Sequence, residues 1–211
     1  MAITNGLTTL AEVKSILRIT DSVDDSLLET CIESASRQIE SHCERVFTSG
    51  TATRVYAPSD SFIVETDDII SIDSLKTSSA ANGTFDVTWS ASDYQLEPLN
   101  GLAGGLQSPY TRIRAVGTQL FVVAYGSSAA RYAFPAAANE ATVQITGTFG
   151  YATPVPTDVK QACNLMAIRQ FKRYDSPLGV AGFGDIGIVR VSRVDPDIDA
   201  LLSPYRKVRF A

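Results

Sequence analysis

The sequence predicts an α+β protein in which N- and C-terminal segments form a small helical bundle and a large antiparallel β section is inserted between them. Three observations carry this. Residues 24–47 place Leu28, Cys31, Ile32, Ala35, Ile39, Cys43 and Val46 at spacings of threes and fours, the stripe of an amphipathic helix. From Thr51 to about Tyr151 the pattern changes to short alternating runs separated by turn residues. After Pro154 and Pro156 the helical period returns, with Val159, Ala162, Cys163, Met166, Ala167, Phe171 and Tyr174 on one face. The organisation read from this is 1–50 as a helical hairpin, 51–151 as the β insertion, and 152–211 as the segment that completes the helical core.

Taken in order, Thr9 followed by Glu12 forms a capping-box pattern and opens a short helix with Leu10, Val13, Ile16 and Leu17 facing inward. Ser22 with Asp25, or Asp24 itself, caps the long helix, and Glu33 stands four residues before Arg37 for a surface pair. Strands are predicted at 54–56, 61–65, 69–75, 84–89, 94–97, 112–115, 120–125 and 141–146. Phe85, Val87 and Trp89 alternate with Asp86 and Thr88, as a half-buried strand requires. The Ala-rich stretch 127–141 has no clean period and reads as a surface excursion. Thr157 caps the third helix, a Gly-rich passage leads to a strand over 188–194, and Asp195 caps a last short helix with Pro196 in its first position.

Bulk properties exclude several classes of function. The 211 residues, 45% hydrophobic, suffice to build a core, and no apolar run approaches the length of about 20 residues that a membrane span needs. The first ten residues lack the charged and apolar regions of a secretory signal, so a product made and assembled in the cytoplasm is expected, without a membrane partner. Three cysteines without paired spacing argue against a disulfide framework and against zinc. The net charge of −5 is uneven: 18 acids and 9 bases up to Asp158, then 5 acids and 9 bases. The basic and aromatic stretch Tyr205, Arg206, Lys207, Arg209, Phe210 is a candidate for contact with phosphate or with an acidic protein surface.

The search for chemistry yields no catalytic residue, no cofactor and no metal site. His42, the single histidine, lies on the long helix with no convergent partners and reads as a packed or half-exposed ring. Gly182, Gly184 and Gly187 spell a GxGxxG, but they stand between a helix and a strand, the reverse of what a dinucleotide site requires. A loop carrying Phe183 that reorders on meeting a partner fits those glycines better. Carboxylates such as Asp67 with Asp68, or Asp195, Asp197 and Asp199, show no sign of sharing a cleft, so a hydrolase is not indicated. The acidic bulk of the chain speaks against sequence-reading contact with nucleic acid.

Four stretches in the same order carry a resemblance: TTLAEVKSILRI, DDSLLETCIESASRQIESHCERVF, GTFGYATPVPTDVKQACNLMAIRQF and IDALLSPYR. They resemble the head-tail connector (adaptor, or head-completion) proteins of tailed bacteriophages and related prophage elements. The similarity covers Leu7 to Phe47 and Gly147 to Arg206, and the large β insertion is a departure from the smallest members, which are nearly all helical. The resemblance implies a virion protein at the neck, a homo-oligomeric ring expected to be a dodecamer, docked under the portal protein and facing a tail or stopper protein. DNA would pass through the ring without being read. On that reading, 205–207, Arg209 and Phe210 anchor in the portal, and the loop of Gly182, Phe183, Gly184 and Gly187 orders against a partner. The alternative is a binding module whose β section recognises a carbohydrate or another virion or host component, with Trp89, Tyr94 and Tyr110 as platforms.

Overall fold

The computed structural model describes residues 3–103, 106–123, 141–174, 180–181, 189–190 and 196–207. The chain divides into two compact units, Met1–Thr48 with Thr153–Ala211, and Ser49–Ala152.

The first unit is helical. Helix α1 (Leu10–Leu17) is opened by a capping box in which the Thr9 hydroxyl accepts the Glu12 N–H and the Glu12 carboxylate accepts the Thr9 N–H. It ends at Arg18, held in the left-handed region at φ 59°. Only Val13 of the expected inward face is fully buried, and Ile16 is 51% exposed, because a helix of two turns brings little of its surface against the core. Helix α2 (Asp25–Cys43) follows the tight connection. Its start differs from expectation: Asp24 makes no side-chain cap bond, and Lys14 of α1 reaches over instead to the Asp21 carbonyl and the Asp25 carboxylate, each at 2.5 Å.

The stripe of α2 is buried as read, from Leu28 to Cys43, with Ser36 added to it. The Ser36 hydroxyl belongs there because it donates to the Ile32 carbonyl, accepts the Leu7 N–H and lies 3.5 Å from the Cys163 sulfur. The helix stops one turn earlier than the periodicity implied. Glu44 adopts φ 53°, and the N–H groups of Glu44 and Arg45 both donate to the Glu40 carbonyl. The chain therefore swings round, leaving Val46 50% exposed and burying Phe47 completely. Arg37 pairs with Glu40, at 2.9 Å, instead of Glu33.

Helix α3 (Thr157–Tyr174) buries Val159, Ala162, Cys163, Asn164 and Ala167, while Tyr174 at its last position is 72% exposed. Thr8 donates to Asn164 at 2.7 Å, a buried polar link between the segment before α1 and α3. Helix α4 (Pro196–Leu202), with Pro196 first as the sequence predicts, runs into a 3-10 turn, Ser203–Tyr205. The described residues between α3 and α4 form a minimal antiparallel pair, Val180–Ala181 with Val189–Arg190. All three cysteines are free and buried.

The second unit is an antiparallel sheet. In chain order its strands are β1 (Gly50–Tyr56), β2 (Ile63–Thr77), β3 (Val87–Thr88), β4 (Tyr94–Glu97), β5 (Leu102–Ala103), β6 (Leu106–Gln107), β7 (Tyr110–Ala115) and β8 (Val143–Phe149). The main sheet runs β1-β8-β2-β7-β4 with β3 beside β2, and β5 pairs only with β6. The first and last strands are neighbours, registered from Gly50 opposite Phe149 to Tyr56 opposite Val143. The two strands expected over 61–65 and 69–75 are one long strand. Its register against β7 shifts between Glu65 and Ile69, so Asp67 and Asp68 are absorbed in an irregularity instead of ending the strand. A second irregularity between Ile72 and Ser74 lies where Gly147 crosses, and a side-chain carbon at that glycine would press on the Ser71 carbonyl.

The sheet core comprises Val64, Ile69, Leu75, Trp89, Ile113, Phe121, Val143, Ile145 and Phe149. Strand β8 alternates perfectly between buried and half-buried positions, as a strand with one face on a core does. The strand expected over 84–89 shrinks to Val87–Thr88, and residues 120–123 of the one expected over 120–125 are not a strand. Phe121 is instead pinned by donating its N–H to the Ser61 carbonyl and by stacking on Trp89 at 4.6 Å and 10°.

Candidate functional site

The basic segment that follows α4 begins at Tyr205. Tyr205 is only 1% exposed: its hydroxyl donates to Asp158, its carbonyl accepts Arg45 Nε at 2.8 Å, and its ring meets Phe47 edge-on at 6.0 Å. Its side chain is thus taken up by the helical core, leaving Arg206 and Lys207 as the exposed described residues of the segment. The Lys207 N–H donates to the Cys43 carbonyl at 3.0 Å, tying the start of the basic stretch to the end of α2. Arg45, Arg206 and Lys207 therefore gather where the helix dipole is negative, an arrangement that offsets part of their mutual repulsion. Burial raises the Cys43 thiol to about 11 despite the pull of Arg45 and Arg206, so it stays an uncharged thiol. Arg209, Phe210 and the loop glycines Gly182, Gly184 and Gly187 with Phe183 lie outside the described residues.

A pocket of about 300 Å³ opens between α2, α3 and α4. Ile39, Met166, Ile198 and Leu202 line its floor, and Arg169 and Arg173 stand at its edge. His42 also lines it, with Nε2 3.5 Å from Asp199, both side chains close to half exposed. The spacing of the sequence does not announce this pairing, because Asp199 is 157 positions from His42 and on another helix. Among the described residues, this half-exposed pair has no third group to orient it and no activated nucleophile beside it, and it stands as a surface contact at the pocket mouth. Among the described residues, no group of three or more His, Cys, Asp or Glu is placed to hold a metal ion.

Groups with displaced titration have structural causes. The Lys160 ammonium, with help from Thr8 and Thr9, holds Glu12 at about 2. Burial lifts Tyr56 to about 12, aided by Asp67, whose carboxylate also accepts Arg54 at 2.7 Å. Burial raises Glu40, whose Oε1 is enclosed without a partner. In the β unit, the proposed platform Trp89 is 5% exposed and donates its indole N–H to Thr77 at 3.0 Å, so it is a core residue. Tyr94 and Tyr110 are half-buried against that same core.

The comparisons with known proteins agree with this picture. The family model of phage gp6-like head-tail connector proteins matches residues 7–82. Among curated proteins no significant match is found. Among solved structures, a chain in the neck of an empty GTA particle computed with C6 symmetry is 16% identical, with a TM-score of 0.57 over 100% of this chain and 95% of that one. A chain in the neck of a native GTA particle computed with C12 symmetry is 17% identical, with a TM-score of 0.57 over 100% of this chain and 94% of that one. A chain of the virion of a native gene transfer agent particle is 17% identical at a TM-score of 0.52. The family match runs through α1, α2 and the first strands, residues 7–82 of 211, and the fold is shared from end to end with the chains of those particle necks.

Proposed function

We propose that this protein is a structural connector of the virion neck, forming a ring, expected to be twelve-fold, beneath the portal, which joins the DNA-filled head to the tail and continues the DNA exit channel. The observation that carries this reading is the match of the whole fold, in both directions of coverage, to chains built into particle necks. The physical properties fit. Such a ring works by shape and charge, and the displaced titrations of the described residues trace to packing and ion pairs instead of a poised acid, base or nucleophile. A chain of net charge −5 gives DNA little to grip, so a duplex slides past without being read.

Arg206 and Lys207 are our candidates for the portal contact, with Arg209 and Phe210 continuing the same basic stretch in the sequence; the loop 182–187 is our candidate for ordering against head or tail proteins. Mixing the purified protein with portal-bearing heads and imaging by electron microscopy tests the assignment. A ring of density at the portal vertex is expected, lost in the double variant Arg206→Glu, Lys207→Glu with the fold unchanged. Heads that stay bare with the native protein overturn the connector reading. Attachment by the double variant removes the basic segment from it.

A further inference from the structure

We propose that the turn carrying Val23 in one copy seats in the α2, α3 and α4 pocket of the next copy, a knob and socket joining neighbouring subunits; this rests on the ring reading above and assigns it a contact. The knob is a pre-formed feature. The Asp21 carboxylate accepts the Val23 N–H at 3.2 Å, and Lys14 holds both the Asp21 carbonyl and the Asp25 carboxylate. None of these bonds uses the valine side chain, which is left 83% exposed, with Asp21 and Asp24 on either side of it. An apolar side chain held out on a clamped, acidic turn loses little conformational freedom when a partner covers it.

The socket has the complementary chemistry. Its floor is apolar, with Ile39, Ile198 and Leu202 nearly or fully buried, and its lining carries Arg169 and Arg173 against a single carboxylate, Asp199, which already faces His42. Its volume of about 300 Å³ exceeds that of a valine side chain and leaves room for the flanking backbone. The acidic turn meets a basic edge, and the aliphatic knob meets an aliphatic floor. A partner from the same chain is favoured by placement. Knob and socket lie at opposite ends of α2, roughly 25 Å apart at 1.5 Å per residue, so a rigid helix prevents them from meeting within one copy. Two unlike, complementary surfaces at separate points of one unit define a head-to-tail contact, the kind that closes into a ring.

Sedimentation of the full chain tests this, with folding of each variant checked by circular dichroism. Val23→Asp and Arg173→Glu, both at exposed positions, are each expected to raise the concentration of half-assembly about tenfold or more. Asp24 makes no side-chain cap bond, so Asp24→Lys removes no hydrogen bond from the start of α2, and combined with Arg173→Glu it is expected to restore assembly. Val23→Cys and Met166→Cys, carried on separate copies, are expected to cross-link between subunits, and the three native cysteines, all buried, give a silent background. A native chain that stays monomeric at every concentration overturns the ring reading and this contact together. Rings that form normally in both single variants, or cross-links that never join the two engineered positions, overturn the contact alone. Variants that form rings but fail to dock on heads assign the knob to another virion protein and overturn it likewise.

Discussion

Lys160 on α3 donates to Glu12 on α1 at 2.9 Å, so one carboxylate serves both as the capping-box partner of its own helix and as a strap to a helix 148 positions away. The ordinary value for this carboxyl is 4.5, and here it lies at about 2. A depressed value means that the contribution to stability is complete above the ordinary value and is lost as pH falls from there toward 2.

Glu12→Gln is therefore expected to flatten the acid limb of the stability profile of the helical unit below pH 4.5. With side chains 38% and 41% exposed, the loss at neutral pH is held to about 1 kcal/mol or less. Denaturant melts of both proteins between neutral and acid pH measure it; parallel profiles would dismiss the strap.

The Thr8 to Asn164 bond is buried, and without Asn164 the Thr8 hydroxyl keeps only the Glu12 carboxylate, 2.9 Å away. Asn164→Ala is expected to cost about 1–3 kcal/mol. Thr8→Val removes the contacts to Asn164 and Glu12 together, so the double variant is expected to lose less than the sum of the two single losses, and a double-mutant cycle by thermal melting measures the coupling.

Trp89 is the single tryptophan, which makes its fluorescence a private reporter of the β unit. Thr77→Val takes away the acceptor of the indole N–H and is expected to destabilise that unit by about 1–3 kcal/mol. The fluorescence midpoint should fall. A helix-dominated far-ultraviolet signal that fell by as much would show that the two units melt as one.

Gly147 lies against the backbone of β2, and its missing side chain is where the Ser71 carbonyl and Ile72 sit. Gly147→Ala is expected to destabilise the sheet by about 1–3 kcal/mol through forced backbone shifts. Gly50→Ala is the control, since a methyl group there meets open space. Equal melting of both variants would remove the steric account.

What the sequence made legible was local. The Thr9 and Glu12 box, the Leu28 to Cys43 stripe, Pro196 at the start of α4 and the strand Tyr94–Glu97 each announce themselves through spacing that one element imposes by itself. What stayed hidden depends on the third dimension. Nothing in the period around Glu44 reveals that it turns left-handed, so Val46 and Phe47 exchange roles. Asp67 and Asp68 look like a strand end because absorbing them requires a register shift against β7. Tyr205 reads as an exposed aromatic beside arginines until Phe47 and Asp158 are brought to it from distant segments. The pocket, likewise, exists only once three helices meet.

Because Gly50 and Phe149 face each other across adjacent strands, the first and last strand residues of the β unit lie about 5.5 Å apart or less. A short loop spans such a gap. The hundred or so residues in between form a compact unit of their own, so its turns can lengthen or change while its two ends stay side by side, and the family match, over residues 7–82, reaches into this unit through β1 and β2.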